Sequence, residues 1–187
     1  MQVGVRQGSD WLWQGVDSGS FELSRSLTAG DAIDFVVYGG YVAGNTPLEL
    51  TISSFNQPPD CSKGAPSVNE IWPPDHTMIA IAVNGVIDPD SDPVNITINT
   101  ITQDEPVNEK GDGNTTPDGS GVGTNTASVR AERSGKDNGR VYQISFTADD
   151  GNGGQCSGSL AICVPHDMKP GHVCIDDGQI YDATTMH

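Results

Sequence analysis

The stretch at residues 79–94, IAIAVNGVIDPDSDPV, constrains the fold of this chain more than any other. Its first half is apolar and rich in β-branched residues, which suits a strand. Its second half ends that strand abruptly. Pro89 and Pro93 have no amide hydrogen and a fixed φ, so no ladder runs through them. Around them Asp88, Asp90 and Asp92 stand on alternate residues. Carboxylates this close repel one another unless a cation neutralises them. A second strand begins at Val94: Val94, Ile96 and Ile98 share one face, while Asn95, Thr97 and Asn99 share the other. That alternation marks a half-buried antiparallel strand.

The rest of the chain is built in the same way. With 23 glycines and 12 prolines, turns are frequent, and no apolar spacing of helical period runs for a useful length. Residues 1–57 read as a first unit of four or five strands. Val3 and Val5 alternate; Phe21, Leu23 and Leu27 share a face; Ile33, Phe35 and Val37 alternate; Leu48, Leu50 and Ile52 mark a last strand. Residues 58–66 open on Pro58-Pro59 and form a stiff linker. Residues 67–164 read as a seven-strand sandwich. Its expected strands include 68–72, 78–87 and 94–99, followed by a long loop at 111–125. Ala127, Val129 and Ala131 then face inward with Arg130 and Glu132 outward. Tyr142, Ile144, Phe146 and Ala148 line one strand, and Cys156, Gly158, Leu160, Ile162 and Val164 share a face of the last. Residues 165–187 form a tail whose short apolar run, 172–175, is expected to wrap the sandwich.

Two stretches resemble known modules. SLTAGDAIDFVVYGG, at 26–40, resembles the closing strands of jelly-roll modules attached to secreted bacterial proteins, many of them carbohydrate-active. SVNEIWPPDHTMIAIAVNGVIDPDSDPVNITI, at 67–98, and RVYQISFTADDGNGGQCSGSLAICV, at 140–164, resemble bacterial extracellular immunoglobulin-like repeats of the HYR, PKD and cadherin-like kind. The resemblance implies modules that space, stiffen or adhere in secreted and surface proteins, and it implies no catalytic residues. The expected fold is all-β: an immunoglobulin-like antiparallel β-sandwich plus a smaller jelly-roll-like β unit. A complete jelly roll needs eight strands. The first unit is therefore expected to be completed by residues outside this segment or by another copy of the chain.

Charge narrows the function further. Asp and Glu number 25 against 9 Lys and Arg, a formal net charge of −16. That argues against nucleic acid, whose phosphates need a basic face, and against an anionic membrane surface. No run approaches the roughly 20 apolar residues that span a bilayer. The start, MQVGVRQGSD, lacks signal-peptide architecture and reads as the first strand of a segment cut from a larger chain.

Candidate sites follow from oxygen-rich loops and aromatics. An immunoglobulin-type sandwich brings its B–C and F–G loops to one end. Asp88, Asp90 and Asp92 would then meet Asp149, Asp150 and Asn152. Calcium, a hard cation with six to eight oxygen ligands, suits that set, and would stiffen the junction between the units as in cadherin-like repeats. This is no EF-hand, since Pro93 stands where that loop needs Gly and Asn99 where it needs Glu. The competing reading is a solvated Asp/Pro turn. Asp112, Asn114, Thr116 and Asp118 repeat the alternate-oxygen pattern in a Gly-rich loop. Trp11, Trp13, Tyr38 and Tyr41 offer a sugar-stacking platform, against the competing reading of core and edge packing. His76, His166, His172 and His187 show no ligand spacing. No spacing selects a carboxylate pair for glycoside hydrolysis.

The four cysteines show no CxxC spacing, and an even count in such a chain suggests two disulfides and an oxidising compartment. Strand parity separates Cys156 from Cys163, and predicts Cys61–Cys156 and Cys163–Cys174. The expected protein is a non-catalytic, secreted or cell-surface structural or adhesive module, calcium-stabilised, whose partners are other modules or its own copies. The alternative is a carbohydrate-binding module of a polysaccharide-degrading enzyme.

Overall fold

The computed structural model describes residues 1–16, 19–40, 49–108 and 111–186, and these form eleven strands and no helix. The chain divides into two units, Met1–Ile52 and Ser53–His187.

In the first unit, β1 (Gln2–Gln7) lies between β2 (Asp10–Val16) and β3 (Ile33–Tyr38), antiparallel to both. Gly8, at φ 59°, makes the turn between β1 and β2 in a region that favours glycine. Register puts Trp13, Val5 and Phe35 in one cross-strand row. A bulge after Val5 then pairs Trp11 with Arg6. Trp11 and Trp13 therefore lie on opposite faces, although strand parity alone would have kept them together. The expected strands at 21–27 and 50–52 do not form. Alternation supplies a face but not a ladder partner: Leu23, Leu27, Leu50 and Ile52 are exposed, and Phe21 packs against Trp13 and Phe35 from irregular chain. Leu48, and Tyr41 of the expected aromatic platform, lie outside the described residues.

The second unit is a two-sheet sandwich. One sheet has the order β4 (Ala65–Pro66), β5 (Met78–Asn84), β8 (Thr126–Arg130), β7 (Gly119–Ser120). The other runs β10 (Gln155–Pro165), β9 (Gly139–Asp149), β6 (Asn95–Gln103), β11 (Tyr181–Asp182). All pairings are antiparallel. With β4, β5, β6, β7, β8, β9 and β10 taken as A to G, this is the ABED and CFG arrangement of an immunoglobulin-type sandwich, with β11 added beside strand C. Inward residues of both sheets make one core. Ile81, Ala127 and Val129 come from one side, and Ile98, Ile101, Ile144, Phe146, Leu160 and Ile162 from the other. Each large apolar side chain buried there contributes roughly 1.5–3 kcal/mol.

Four local readings change. Strand A is Ala65–Pro66 rather than 68–72. Beyond it the chain crosses to the other sheet, where Cys163 N–H donates to Asn69 O and Ile71 N–H to Cys163 O. Strand β6 carries a bulge between Ile98 and Thr100, which resets its parity and turns Ile101 and Gln103 inward. The chain leaves β8 after Arg130, so Glu132 is fully buried rather than outward. In the tail, Val173 and Ile175 are exposed; β11 and the fully buried Ala183 join the sandwich instead.

Candidate metal centre

The loop at 85–94 is shaped by its own sequence. Ser91 sits at φ 68° and donates its N–H to Asp88 O at 3.1 Å. Asp88 Oδ1 accepts the N–H groups of Asp90 at 2.7 Å and Asp92 at 3.2 Å, closing a tight Asx-type turn. This curls the three carboxylates toward one point: one ligand oxygen from each of Asp88, Asp90 and Asp92 lies within 4.8 Å of the others. Oxygens around a calcium ion at about 2.3–2.6 Å fall within about that span. Asp88 is buried, and its Oδ2 has no hydrogen-bond partner. An unpartnered buried carboxylate oxygen is costly without a donor or cation.

The opposite loop, 150–154, reaches the same place. Asp150 is buried and accepts the N–H groups of Asn152 at 2.7 Å and Gly154 at 2.9 Å on Oδ1, and the Asn56 amide at 2.7 Å on Oδ2. Burial raises its pKa, but these hydrogen bonds outweigh that and hold it below the ordinary carboxylate value. Gly154 is required by close approach: a Cβ there would lie 2.1 Å from Asp150 Oδ2. The Asn152 side-chain amide donates to Asp92 Oδ2 at 2.9 Å, joining the two loops. Gln57 donates its backbone N–H and its amide to the two oxygens of Asp90, at 2.6 and 3.0 Å. Ser54, Asn56, Asp90, Asp92 and Asn152 line an open depression at this end.

Not all of the expected ligands share this geometry. Asp149 is occupied along its own strand, accepting from Gly151 N–H at 2.6 Å and from the Gln155 amide. Asp150 accepts hydrogen bonds on both oxygens, as Asp90 does, but it is not among the carboxylates whose oxygens converge. Asp118 does not belong to an open cation loop: it is fully buried, with Arg140 Nη1 at 2.7 Å and Arg130 Nε at 3.5 Å. Asp112 is buried and caps Asn114 N–H at 3.0 Å. Three histidines have carboxylate neighbours: His76 with Glu132, His172 with Glu70, and His166 with Asp167. His187 lies outside the described residues. Among the described residues, no other group of three or more His, Cys, Asp or Glu converges as Asp88, Asp90 and Asp92 do.

Sequence reading missed a buried charged network. Arg140 is fully buried and donates to Glu105 Oε2 at 3.1 Å, Asp118 Oδ2 at 2.7 Å, Pro106 O and the Tyr142 hydroxyl. Glu132 accepts from Thr115 and sits 2.9 Å from His76 Nδ1. Burial pushes the pKa values of Asp104, Glu105, Asp118 and Glu132 up, against hydrogen bonds that pull them down. Strand parity held the missing signal, because Arg140 shares the inward face of Tyr142 and Ile144.

Cys61–Cys156 and Cys163–Cys174 form the two disulfides. The first ties the entering chain to the start of β10, and the second ties the tail to its end. No known family, no curated protein and no solved structure matches this chain.

Proposed function

We propose that the chain is a non-catalytic, extracellular structural or adhesive module, acting as a spacer or in surface assembly within a larger secreted protein, with calcium binding at Asp88, Asp90 and Asp92. One observation carries this reading: three carboxylates converge within 4.8 Å of one another around a buried Asp88 oxygen that has no partner. Asn152, already against Asp92, and Asp150 behind it support the shell from the second loop. The ion's role is to cancel repulsion between the acids and lock loops 85–94 and 150–154 to segment 54–57. Two disulfides in an all-β chain support an oxidising, extracellular setting. The partners are other modules or copies of the same chain. The buried carboxylates of the network support a structural role, being paired with arginines rather than set at an open cleft.

The test is thermal unfolding with calcium and with chelator, together with metal analysis of the purified protein. At a hundredfold excess over Kd, calcium is expected to stabilise the fold by about 2.7 kcal/mol. Asp90→Ala is expected to abolish that response. An unchanged midpoint on chelation, with no metal present, reduces the loop to a solvated turn.

A further inference from the structure

Two side-chain amides already reach the converging carboxylates of the second unit. The Asn152 amide donates to Asp92 Oδ2 at 2.9 Å, and the Gln57 amide donates to Asp90 Oδ1 at 3.0 Å. Asn152 and Gln57 are both exposed, so packing does not fix which way either amide points. Among the described residues, neither amide oxygen accepts a hydrogen bond. The backbone N–H of Gln57 donates to the other oxygen of Asp90, Oδ2, at 2.6 Å. One hydrogen bond on each Asp90 oxygen leaves a further lone pair there for an ion. Asp88 gives the independent sign of a ligand: it is buried, and its Oδ2 has no hydrogen-bond partner.

A side-chain amide carries a donor and an acceptor on one carbon, and half a turn about its last torsion exchanges them. Against bare carboxylates the N–H end faces the acids, where it offsets part of their repulsion. Against a divalent cation the same N–H groups would aim positive charge at positive charge. The oxygen end is then favoured, because calcium takes oxygen ligands. The three carboxylates converge with one oxygen each, short of the roughly six to eight that calcium takes. Asp90, Asp92 and Asn152 line an open depression with Ser54 and Asn56, which admits water to positions the protein leaves open.

We infer, resting on the calcium binding proposed above, that Gln57 and Asn152 are ligands of the same ion. Each binds through its side-chain oxygen after a half-turn of the amide. Calcium then exchanges contacts instead of ordering a loose loop. Without the ion, Gln57 and Asn152 clamp the acids as hydrogen-bond donors. With it, they close the shell as ligands, and the Gln57 backbone N–H keeps Asp90 oriented from outside the shell. Segment 54–57 and loop 150–154 are thereby bonded directly to the ion held by loop 85–94.

The experiment counts the waters on the ion. The full chain is stripped of metal with chelator, titrated with calcium by calorimetry, and separately loaded with terbium, a luminescent ion that occupies calcium sites. Terbium decay lifetimes in H2O and D2O give the number of bound waters. Gln57→Leu and Asn152→Ala each remove one ligand oxygen. Each is expected to add about one bound water and to weaken calcium binding roughly tenfold. Gln57→Glu keeps an oxygen at that position and is expected to keep the water number of the unaltered chain. Gln155→Leu, whose amide serves Asp149 away from the converging acids, is expected to change neither quantity. Circular dichroism of each variant checks the fold. An unchanged water number in either Gln57→Leu or Asn152→Ala, with calcium still bound, overturns the proposal and leaves the calcium reading standing. If the unaltered chain takes up neither calcium nor terbium, the calcium reading itself falls and this proposal falls with it.

Discussion

Arg140 shows how far a single residue can depart from hydrophobic patterning. It occupies a core position of β9, yet its fully buried guanidinium is the hub for Glu105, Asp118 and Tyr142. Arg140→Met leaves both carboxylates buried without their cation. The expected loss is roughly 3–5 kcal/mol, read by urea denaturation. Replacing Arg140, Glu105 and Asp118 together by apolar residues is expected to cost less than the single change, because no charge is then stranded. The same carboxylates set a pH dependence. Burial raises the folded-state values of Glu132, Asp118, Glu105 and Asp104, so their contribution is fully present below the ordinary carboxylate range. It is lost as pH rises through the raised values. With chelator present, Tm is expected to fall as pH rises above the ordinary carboxylate range, and Glu132→Gln to flatten part of that slope. A Tm that instead climbs across this window would show that the arginines hold these groups ionised. Asp150 acts with the opposite sign: its lowered value gives stability above the ordinary range that is lost on further acidification.

Among the elements, β11 does more than its two residues suggest. It pairs with β6 in one sheet, and the adjoining Ala183 reaches both sheets. Ala183 N–H donates to Ile101 O at 3.0 Å, and Ala183 O accepts from Asp118 and Gly119 at 2.9 and 2.7 Å. Gly119 leaves room for this: a Cβ there would lie 2.9 Å from Ile101 Cγ2 and 3.0 Å from Ala183 Cβ. Deleting residues 181–187 opens the core beside Ile101 and strips these bonds. At about 1 kcal/mol per net hydrogen bond plus lost packing, the expected cost is roughly 2–4 kcal/mol. Chemical denaturation of the truncated chain checks it, and an unchanged midpoint would make the tail dispensable.

At the level of the whole chain, the two units differ sharply in how much core they own. In Met1–Ile52, Val5 is the one apolar side chain among the described residues with near-zero exposure. Ser53–His187 holds the remaining core, both disulfides and the charged network. Its Cys61–Cys156 bridge spans a sequence separation of 95, for which loop-closure entropy gives roughly 4–5 kcal/mol. A chain of residues 53–187 is therefore expected to fold alone. Residues 1–52, with so small a core, are expected to be marginal by themselves. Hydrogen exchange by mass spectrometry checks this: amides of β1, β2 and β3 should exchange orders of magnitude faster than those of β9.

Much of this was legible in the residues. The alternation in β6, β9 and β10 determined an all-β chain and the inward faces, because strand parity is a local property of the backbone. The Asp-Pro spacing at 88–93 determined a tight acidic loop for the same reason. Other features depended on which strand ends meet. The bulges at Val5 and Asn99 reversed parity midway, so Trp11 parted from Trp13 and Ile101 turned inward. Only the ladder register shows such a slip. Glu132 reads as an outward charge, and Asp118 as part of an oxygen-rich loop, until the fold sets Arg130 and Arg140 beside them. Of the acidic residues expected at one end, tertiary structure gathered Asp88, Asp90 and Asp92. Asp149 and Asp150 stand on the opposite loop with their oxygens turned to that loop's own N–H groups and to neighbouring amides, because the direction of each carboxylate is set by the loop that carries it.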